Sequence, residues 1–289
     1  MTAQGVAAQT GSGPEPPSSP LNQGKPHSAR MYDYFLGGKD NYVADRQAAA
    51  KVLTMWPGVM TAARTNRAFM HRAIRYLAAE RGIRQFLDIG TGIPTSPNLH
   101  EVAQSIAPEA RIVYADNDPI VLAHAQALLG SDPRGRTAYV DANVAEPDTI
   151  LNAPELTEVL DLSQPVALSL CALLHFVPDE WDPYGIVQRL LEPLAPGSYL
   201  VLSHITPDFD PEATQRTVQI YHSGGIQGKI RTKAEVERFF TGLELVEPGI
   251  EVPHRWHPDL AAPDTGTDTG DVTDEEVSFW VGVARKSAS

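Results

Sequence analysis

The stretch Gln85-Phe-Leu-Asp-Ile-Gly-Thr-Gly-Ile-Pro-Thr95 decides how the chain is read. Phe86, Leu87 and Ile89 form a short apolar run of the kind shown by a strand buried on both faces. Gly90 and Gly92 break that run, since glycine permits a tight turn and lets a ligand approach the backbone closely. Ser96 is placed to cap the next helix, and Pro97 suits its first position, where no amide hydrogen is needed. The helix then runs through Leu99, Val102, Ala103 and Ile106. A strand, a glycine turn and a helix N-terminus make a nucleotide-sized site at the carboxyl edge of a sheet. The spacing is Gly-x-Gly-x-x-Thr, short of the full dinucleotide fingerprint, so by itself it also suits a purely structural turn.

The next two strands strengthen the nucleotide reading. Arg111 to Asp116 forms the second, and Asp116 ends it about 20 residues beyond the glycine loop, where a carboxylate can accept bonds from both ribose hydroxyls. Capping the following helix falls to Asp118, because Pro119 follows it directly. Thr137 to Val140 forms the third strand and ends in Asp141-Ala-Asn143. Asp141 can accept from an exocyclic amine and the Ala142 amide can donate to a ring nitrogen, a pair that reads adenine. Three successive strand ends suited to one nucleoside weigh more than any single motif.

Further along, Pro165 to Leu174 reads as an apolar strand leading into His175-Phe-Val-Pro-Asp179. His175 is either a base or, as favoured, a residue lining the pocket. Trp181 to Leu194 is helical, and Ser198 to Ser203 is a fifth strand with His204 and the Ile205 to Phe209 loop at its carboxyl edge. An inserted helical segment at about 208–230 covers an acceptor pocket or serves as a crossover. Thr232 and Glu235 have capping-box spacing. Leu243 to Glu247 and Val277 to Ala284 make a final strand pair. Between them, residues 259–276 carry seven acidic side chains and read as a solvated loop. Their spacing does not match an EF-hand, so no calcium is assigned.

Residues 1–27, rich in Gly, Pro, Ser, Gln and Ala, read as a disordered tail. A helical layer over 28–82 precedes the main domain, 83–289. In it, Tyr32, Tyr34, Phe35 and Tyr42 crowd around Gly37-Gly38 and Lys39-Asp40-Asn41, which is either an anchoring arm or part of a ligand pocket. Residues 43–56 are helical and stop at Pro57-Gly58. A second helix over Met60 to Glu80 buries Phe69, Met70, Ala73, Ile74 and Leu77, with Asn66 and Arg67 near the start of that stripe.

The chain has 289 residues, 42% of them hydrophobic, enough for one large α/β domain or two modest ones. Lys and Arg total 23 against 36 Asp and Glu, and the net charge of −13 argues against nucleic acid as the main partner. No segment has the length and apolarity of a membrane span, and the N-terminus lacks the layout of a secretory signal. Cys171 sits in an apolar run as a buried thiol, and the Cys and His pattern offers no zinc site. The expectation is a cytoplasmic protein without a metal.

The order of strands and strand-end groups resembles a class I S-adenosylmethionine-dependent methyltransferase. A closer resemblance is to the actinobacterial S-adenosyl methyltransferase family, long known only as a domain of unknown function. It rests on Ser28-Ala-Arg-Met-Tyr-Asp-Tyr-Phe-Leu-Gly-Gly-Lys-Asp-Asn41, Trp56-Pro-Gly58, Thr65-Asn-Arg-Ala-Phe69, Asp88-Ile-Gly-Thr-Gly-Ile-Pro-Thr95, Asp116-Asn-Asp-Pro119 and Leu174-His-Phe-Val-Pro-Asp179, and covers about residues 25–286. The resemblance implies an α/β Rossmann-like fold. Its sheet is seven-stranded and mostly parallel, with an antiparallel last strand and helices on both faces. It also implies that Asp88, Gly90, Thr91 and Gly92 hold S-adenosylmethionine, that Asp116 and Asn117 meet its ribose, and that Asp141 and Ala142 meet its adenine. His175 and His204 are then candidate bases, with Tyr34 and Asp40 as positioners. The acceptor is expected to be a small molecule of unidentified structure. The fourth strand begins Gln164-Pro-Val-Ala instead of with the acid common in methyltransferases, and His175 is not in an Asn-Pro-Pro-Tyr type motif. Two other functions fit parts of the pattern: a non-catalytic protein that binds the same cofactor, and a nicotinamide-dependent oxidoreductase. Ile93-Pro94-Thr95 in place of a third glycine disfavours the oxidoreductase.

Overall fold

Seven strands form one sheet in the order β3-β2-β1-β4-β5-β7-β6. The computed structural model describes residues 23–128, 132–261 and 271–287. Most of the expected tail and the centre of the expected acidic loop lie outside the described residues. Three helices come first: α1 (Ser28–Phe35), α2 (Val43–Met55) and α3 (Val59–Ala79). β1 (Gln85–Ile89), α4 (Leu99–Ile106), β2 (Arg111–Asp116), α5 (Pro119–Leu128) and β3 (Arg136–Asp141) follow. Next come α6 (Pro147–Leu151), α7 (Pro154–Val159), β4 (Ala167–Cys171), α8 (Pro183–Leu191), β5 (Tyr199–Ile205) and α9 (Pro211–Ser223). The chain closes with α10 (Lys233–Glu237), β6 (Glu244–Leu245), α11 (Asp274–Val277) and β7 (Phe279–Arg285). Strands β1 to β5 pair in parallel, and β7 runs antiparallel to both β5 and β6. Strand order reverses between β1 and β4, and in open α/β sheets ligands bind at the carboxyl ends beside that switch.

Alternation along each strand sends neighbouring side chains to opposite faces. Leu87, Val113, Leu168 and Leu200 pack beneath α6, α7, α8 and α10, together with Phe239 and Phe240. Phe86, Ile112, Ala167 and Val201 pack against α3, α4 and the fully buried Trp256. The expected stripe of Phe69, Met70, Ala73, Ile74 and Leu77 is the buried face of α3. A third apolar cluster joins Met31 and Phe35 of α1, Val52 and Trp56, the start of α3, Tyr221 of α9, and Phe279 of β7. The N-terminal helices and α9 are thus bound to each other at the carboxyl edge of the sheet. Among the described residues no helix is long and apolar enough to cross a membrane.

Several boundaries differ from the sequence expectation. Asn98, not Ser96, caps α4: Asn98 and Glu101 form a capping box, and Leu99 takes the first helical position. β4 stops at Cys171, where Ala172 takes a positive φ of 53°, and Leu174–Phe176 is a 3₁₀ turn instead of strand. Helix α8 starts only at Pro183, after a 3₁₀ turn at Asp179–Trp181, because Asp182 caps it by accepting from the Gly185 amide (3.1 Å). β5 runs on to Ile205, so His204 lies within the strand instead of in the loop beyond it. β6 has two residues, and Val277 belongs to α11, not to the last strand.

Candidate functional site

The glycine turn after β1 forms the floor of a cavity at the switch point. Gly90 and Gly92 have φ of 73° and 66°, and a Cβ on Gly90 would lie 2.6 Å from Leu173 Cδ1. Both the backbone conformation and the close packing therefore demand glycine at position 90. Asp88, at the carboxyl end of β1, is buried and hydrogen-bonded to Ser169 and Thr91. Burial pushes its carboxyl up to about 6, although those two bonds and the Arg67 charge act the other way. Asp116 ends β2 and accepts from the amides of Gly92 (2.8 Å) and Asp118 (2.9 Å). The turn is thereby tied to the second strand. Burial also raises the Asp116 pKa, against those two amide bonds. A carboxylate has about four acceptor positions, so two remain for another donor. Asn117 lines the cavity, and Asp118 caps α5 by accepting from the Ile120 amide (3.0 Å), as its place before Pro119 predicts.

The end of β3 is arranged differently from the sequence reading. Asp141 is exposed and pairs in register with Asp116, outside the cavity lining. The Ala142 amide, expected to be free for a ring nitrogen, donates to the Asp116 carbonyl (3.1 Å) and so prolongs the sheet. The cavity wall here is Ala142, Asn143 and Val144. Asn143 Oδ1 accepts from the Ala145 amide (3.0 Å), which holds the chain in its turn along the wall.

The roof and far wall come from the N-terminal helices. His27, Ser28, Ala29 and Tyr32 of the α1 segment line the cavity, with Asn66, Arg67 and Met70 of α3. Two contacts hold α1 in place: Arg30 Nε pairs with the buried Asp45 at 3.1 Å, and His27 Nδ1 lies 3.0 Å from Asp118 Oδ2. Arg67 donates to the Thr95 and Pro97 carbonyls and so fixes the exit of the glycine turn. Asn66 Nδ2 donates to Tyr32 Oη (2.9 Å), which donates to the Ala63 carbonyl (3.0 Å). Burial pushes the Tyr32 phenol up to about 12, so it stays neutral. The sequence assigns none of Tyr32, Asn66 and Arg67 a role at the site: Tyr32 belongs to the arm read as an anchor or as part of a ligand pocket, and Asn66 and Arg67 stand out only for their position on the helix. The available signal was the place of Asn66 and Arg67 beside the apolar stripe of a helix that leads into β1.

None of the four side chains expected near the acceptor lines the cavity. Tyr34 packs beside Phe35 in the arm cluster, and Asp40 is half exposed, 3.9 Å from His124 Nε2. The Gly37-Gly38 turn between them is closed by Asp33, which accepts from the Asp40 amide (3.0 Å) and Asn41 Nδ2 (2.8 Å). His204 is fully buried, with Nδ1 2.7 Å from the Ile205 carbonyl and Nε2 3.0 Å from the Arg231 guanidinium. Burial and then the Arg231 charge push its pKa down to about 3. His175 is held well below the usual imidazole range by burial, and its ring packs against Phe176, His204 and Phe279. His204 is thus bound to Arg231, His175 Nδ1 is buried without a hydrogen-bond partner, and of this cluster Phe176 lines the cavity.

The profile of a family described as S-adenosyl methyltransferase matches residues 14–287. A DUF574 family protein from Streptomyces avermitilis is 53% identical, with a TM-score of 0.87 over 92% of this chain and 99% of its own. A candidate methyltransferase from Thermobifida fusca is 40% identical, with a TM-score of 0.84 over 94% and 99%. The plantazolicin methyltransferase BpumL, solved with SAH, is 13% identical, with a TM-score of 0.52 over 90% and 95%, and shares the fold. No curated protein matches the chain.

Proposed function

The chain belongs to the S-adenosyl methyltransferase family, and from that premise we propose that it methylates a small-molecule acceptor in the cavity beneath α1. It is an S-adenosylmethionine-dependent methyltransferase with a Rossmann-like class I fold. The observation that carries the site assignment is the convergence of the Gly90–Gly92 turn, the Asp116 carboxylate and the Ala142–Val144 wall on one cavity at the switch point. The residues fit the cofactor. Asp116 keeps acceptor positions for ribose hydroxyls, Gly92 leaves the backbone open, with nothing nearer than 4.0 Å to the place of a Cβ, and Ala142, Asn143 and Val144 line the side available to the base.

When bound, S-adenosylmethionine supplies a methyl group already activated on a sulfonium. What remains for the protein is alignment, which alone contributes effective molarities of about 10⁵ to 10⁸ M in well-oriented reactions. With His204 bound to Arg231 and His175 buried outside the cavity lining, this reading gives the chain the work of positioning and of excluding water, under the roof formed by His27 to Tyr32. The acidic surface, at a net charge of −13, supports a small acceptor over a polyanion. A cytoplasmic setting goes with this reading, supported by a single unpaired cysteine.

The test is calorimetric titration with S-adenosylmethionine, S-adenosylhomocysteine and NAD in parallel, on the wild type and on Asp116→Ala. We expect both sulfur compounds to bind, NAD to give no heat, and Asp116→Ala to weaken binding about 10- to 100-fold through the lost charged acceptor. Binding of NAD in preference to both would overturn the reading.

A further inference from the structure

Tyr32 has one hydroxyl hydrogen, and it goes to the Ala63 carbonyl, which can only accept. Tyr32 Oη therefore receives its other bond as an acceptor, and Asn66 must present Nδ2 to it. This fixes the orientation of the Asn66 amide. Asn66 is 3% exposed and lines the cavity, and its Oδ1 is buried without a hydrogen-bond partner. An unmatched buried acceptor is costly and needs a reason.

The surrounding groups narrow what would satisfy it. Asp88, on the same cavity, is a second acceptor and carries negative charge when ionised. The Tyr32 hydroxyl donates to Ala63 and Arg67 Nη2 to the Thr95 and Pro97 carbonyls, and no described group donates to Asn66 Oδ1. Asn66 Oδ1 is thus left for a donor that a ligand brings, and beside the Asp88 carboxyl a cationic donor suits it best.

We infer that Asn66 Oδ1 receives the α-ammonium group at the amino-acid end of S-adenosylmethionine, with Tyr32 as the positioning residue that keeps the amide turned towards it. The inference rests on the cofactor reading above. An amine on the methyl acceptor would present the same chemistry, so the test separates the two sources.

Calorimetry on the full chain compares S-adenosylhomocysteine with 5′-methylthioadenosine, which keeps the nucleoside and thioether but lacks the amino-acid end. Asn66→Leu keeps the side-chain shape and removes the acceptor. It should weaken S-adenosylhomocysteine about 10- to 100-fold and leave 5′-methylthioadenosine within about twofold. Tyr32→Phe keeps the packing and frees the amide to turn. It should lose about 3- to 10-fold on the first ligand and nothing on the second, and it carries the test should Asn66→Leu misfold. Equal losses on both ligands would mean a merely structural role and would overturn the inference. Unchanged S-adenosylhomocysteine affinity in both variants would overturn it too, and would leave the orphan acceptor to the amine of the methyl acceptor. Failure of folded wild-type protein to bind S-adenosylhomocysteine at all would instead strike the cofactor reading, and this inference with it.

Discussion

Asp88 shows how a single residue trades stability for a binding site. Its carboxyl titrates at about 6 in the fold, against 3.8 for a free side chain. The folded protein therefore holds this proton more tightly than the unfolded chain does. The resulting stability is complete below about pH 4 and is lost as pH rises through 6. Asp88→Asn should remove that loss, raising stability at pH 8 by up to about 3 kcal/mol and by much less at pH 5. Thermal unfolding at the two pH values checks this, and a variant destabilised more at pH 8 than at pH 5 would contradict it. The same substitution should weaken S-adenosylhomocysteine binding at pH 8. At this scale the sequence was informative where chemistry follows directly from local chain geometry. Asp88, Gly90 and Asp116 sit on a strand–turn–helix–strand unit whose spacing fixes their neighbours. The free Ala142 amide was misread because one more rung of the β2–β3 ladder consumes it, and ladder length is set by pairing, not composition.

At the scale of elements, Arg231 is the side chain on which the turn after β4 depends. It is fully buried and donates to the Leu174 (3.0 Å) and Val177 (3.1 Å) carbonyls, to Asp179 Oδ1 (2.6 Å) and to His204 Nε2 (3.0 Å). The 3₁₀ turn at Leu174–Phe176, which brings Phe176 to the cavity, is held to β5 by this one guanidinium. Arg231→Met leaves three oxygens and an imidazole nitrogen in need of partners, and should cost about 3 to 5 kcal/mol. A urea melt reads that as a lower midpoint, and a loss under 1 kcal/mol would refute the assignment. The distant origin of this bond set explains why His175-Phe-Val-Pro-Asp179 resisted interpretation from sequence: its partner lies more than 50 positions away. Local signals fared better. Asp118 before Pro119 and Thr232 with Glu235 cap their helices as their spacing implies, whereas Ser96 lost to Asn98, whose partner Glu101 completes the capping box.

For the whole molecule, the informative feature is the cluster that unites α1, α2, α9 and the start of β7. Each of these elements was visible as a helix or strand, yet nothing local tells that residues near 30 and near 220 share a core. That knowledge comes only from the closed sheet, whose carboxyl edge leaves one place for both. Because α1 roofs the cavity, ligand bound there should stabilise its closed position by mass action, about 2.7 kcal/mol at 100 times Kd. Limited proteolysis should accordingly show slower cleavage between residues 23 and 58 when S-adenosylhomocysteine is present, and an unchanged rate would speak against the roof. The edge-to-face contact between Phe176 and Tyr221 (5.5 Å between ring centres) carries a further consequence. It ties the cavity wall to α9, which shares an apolar cluster with α1, so a ligand that presses on the wall and one that presses on the roof act on one packed core. Thermodynamic reciprocity then requires that any help the cofactor gives to the acceptor be returned by the same factor. Whatever coupling the contact between these two aromatic rings carries is therefore shared equally by cofactor and acceptor.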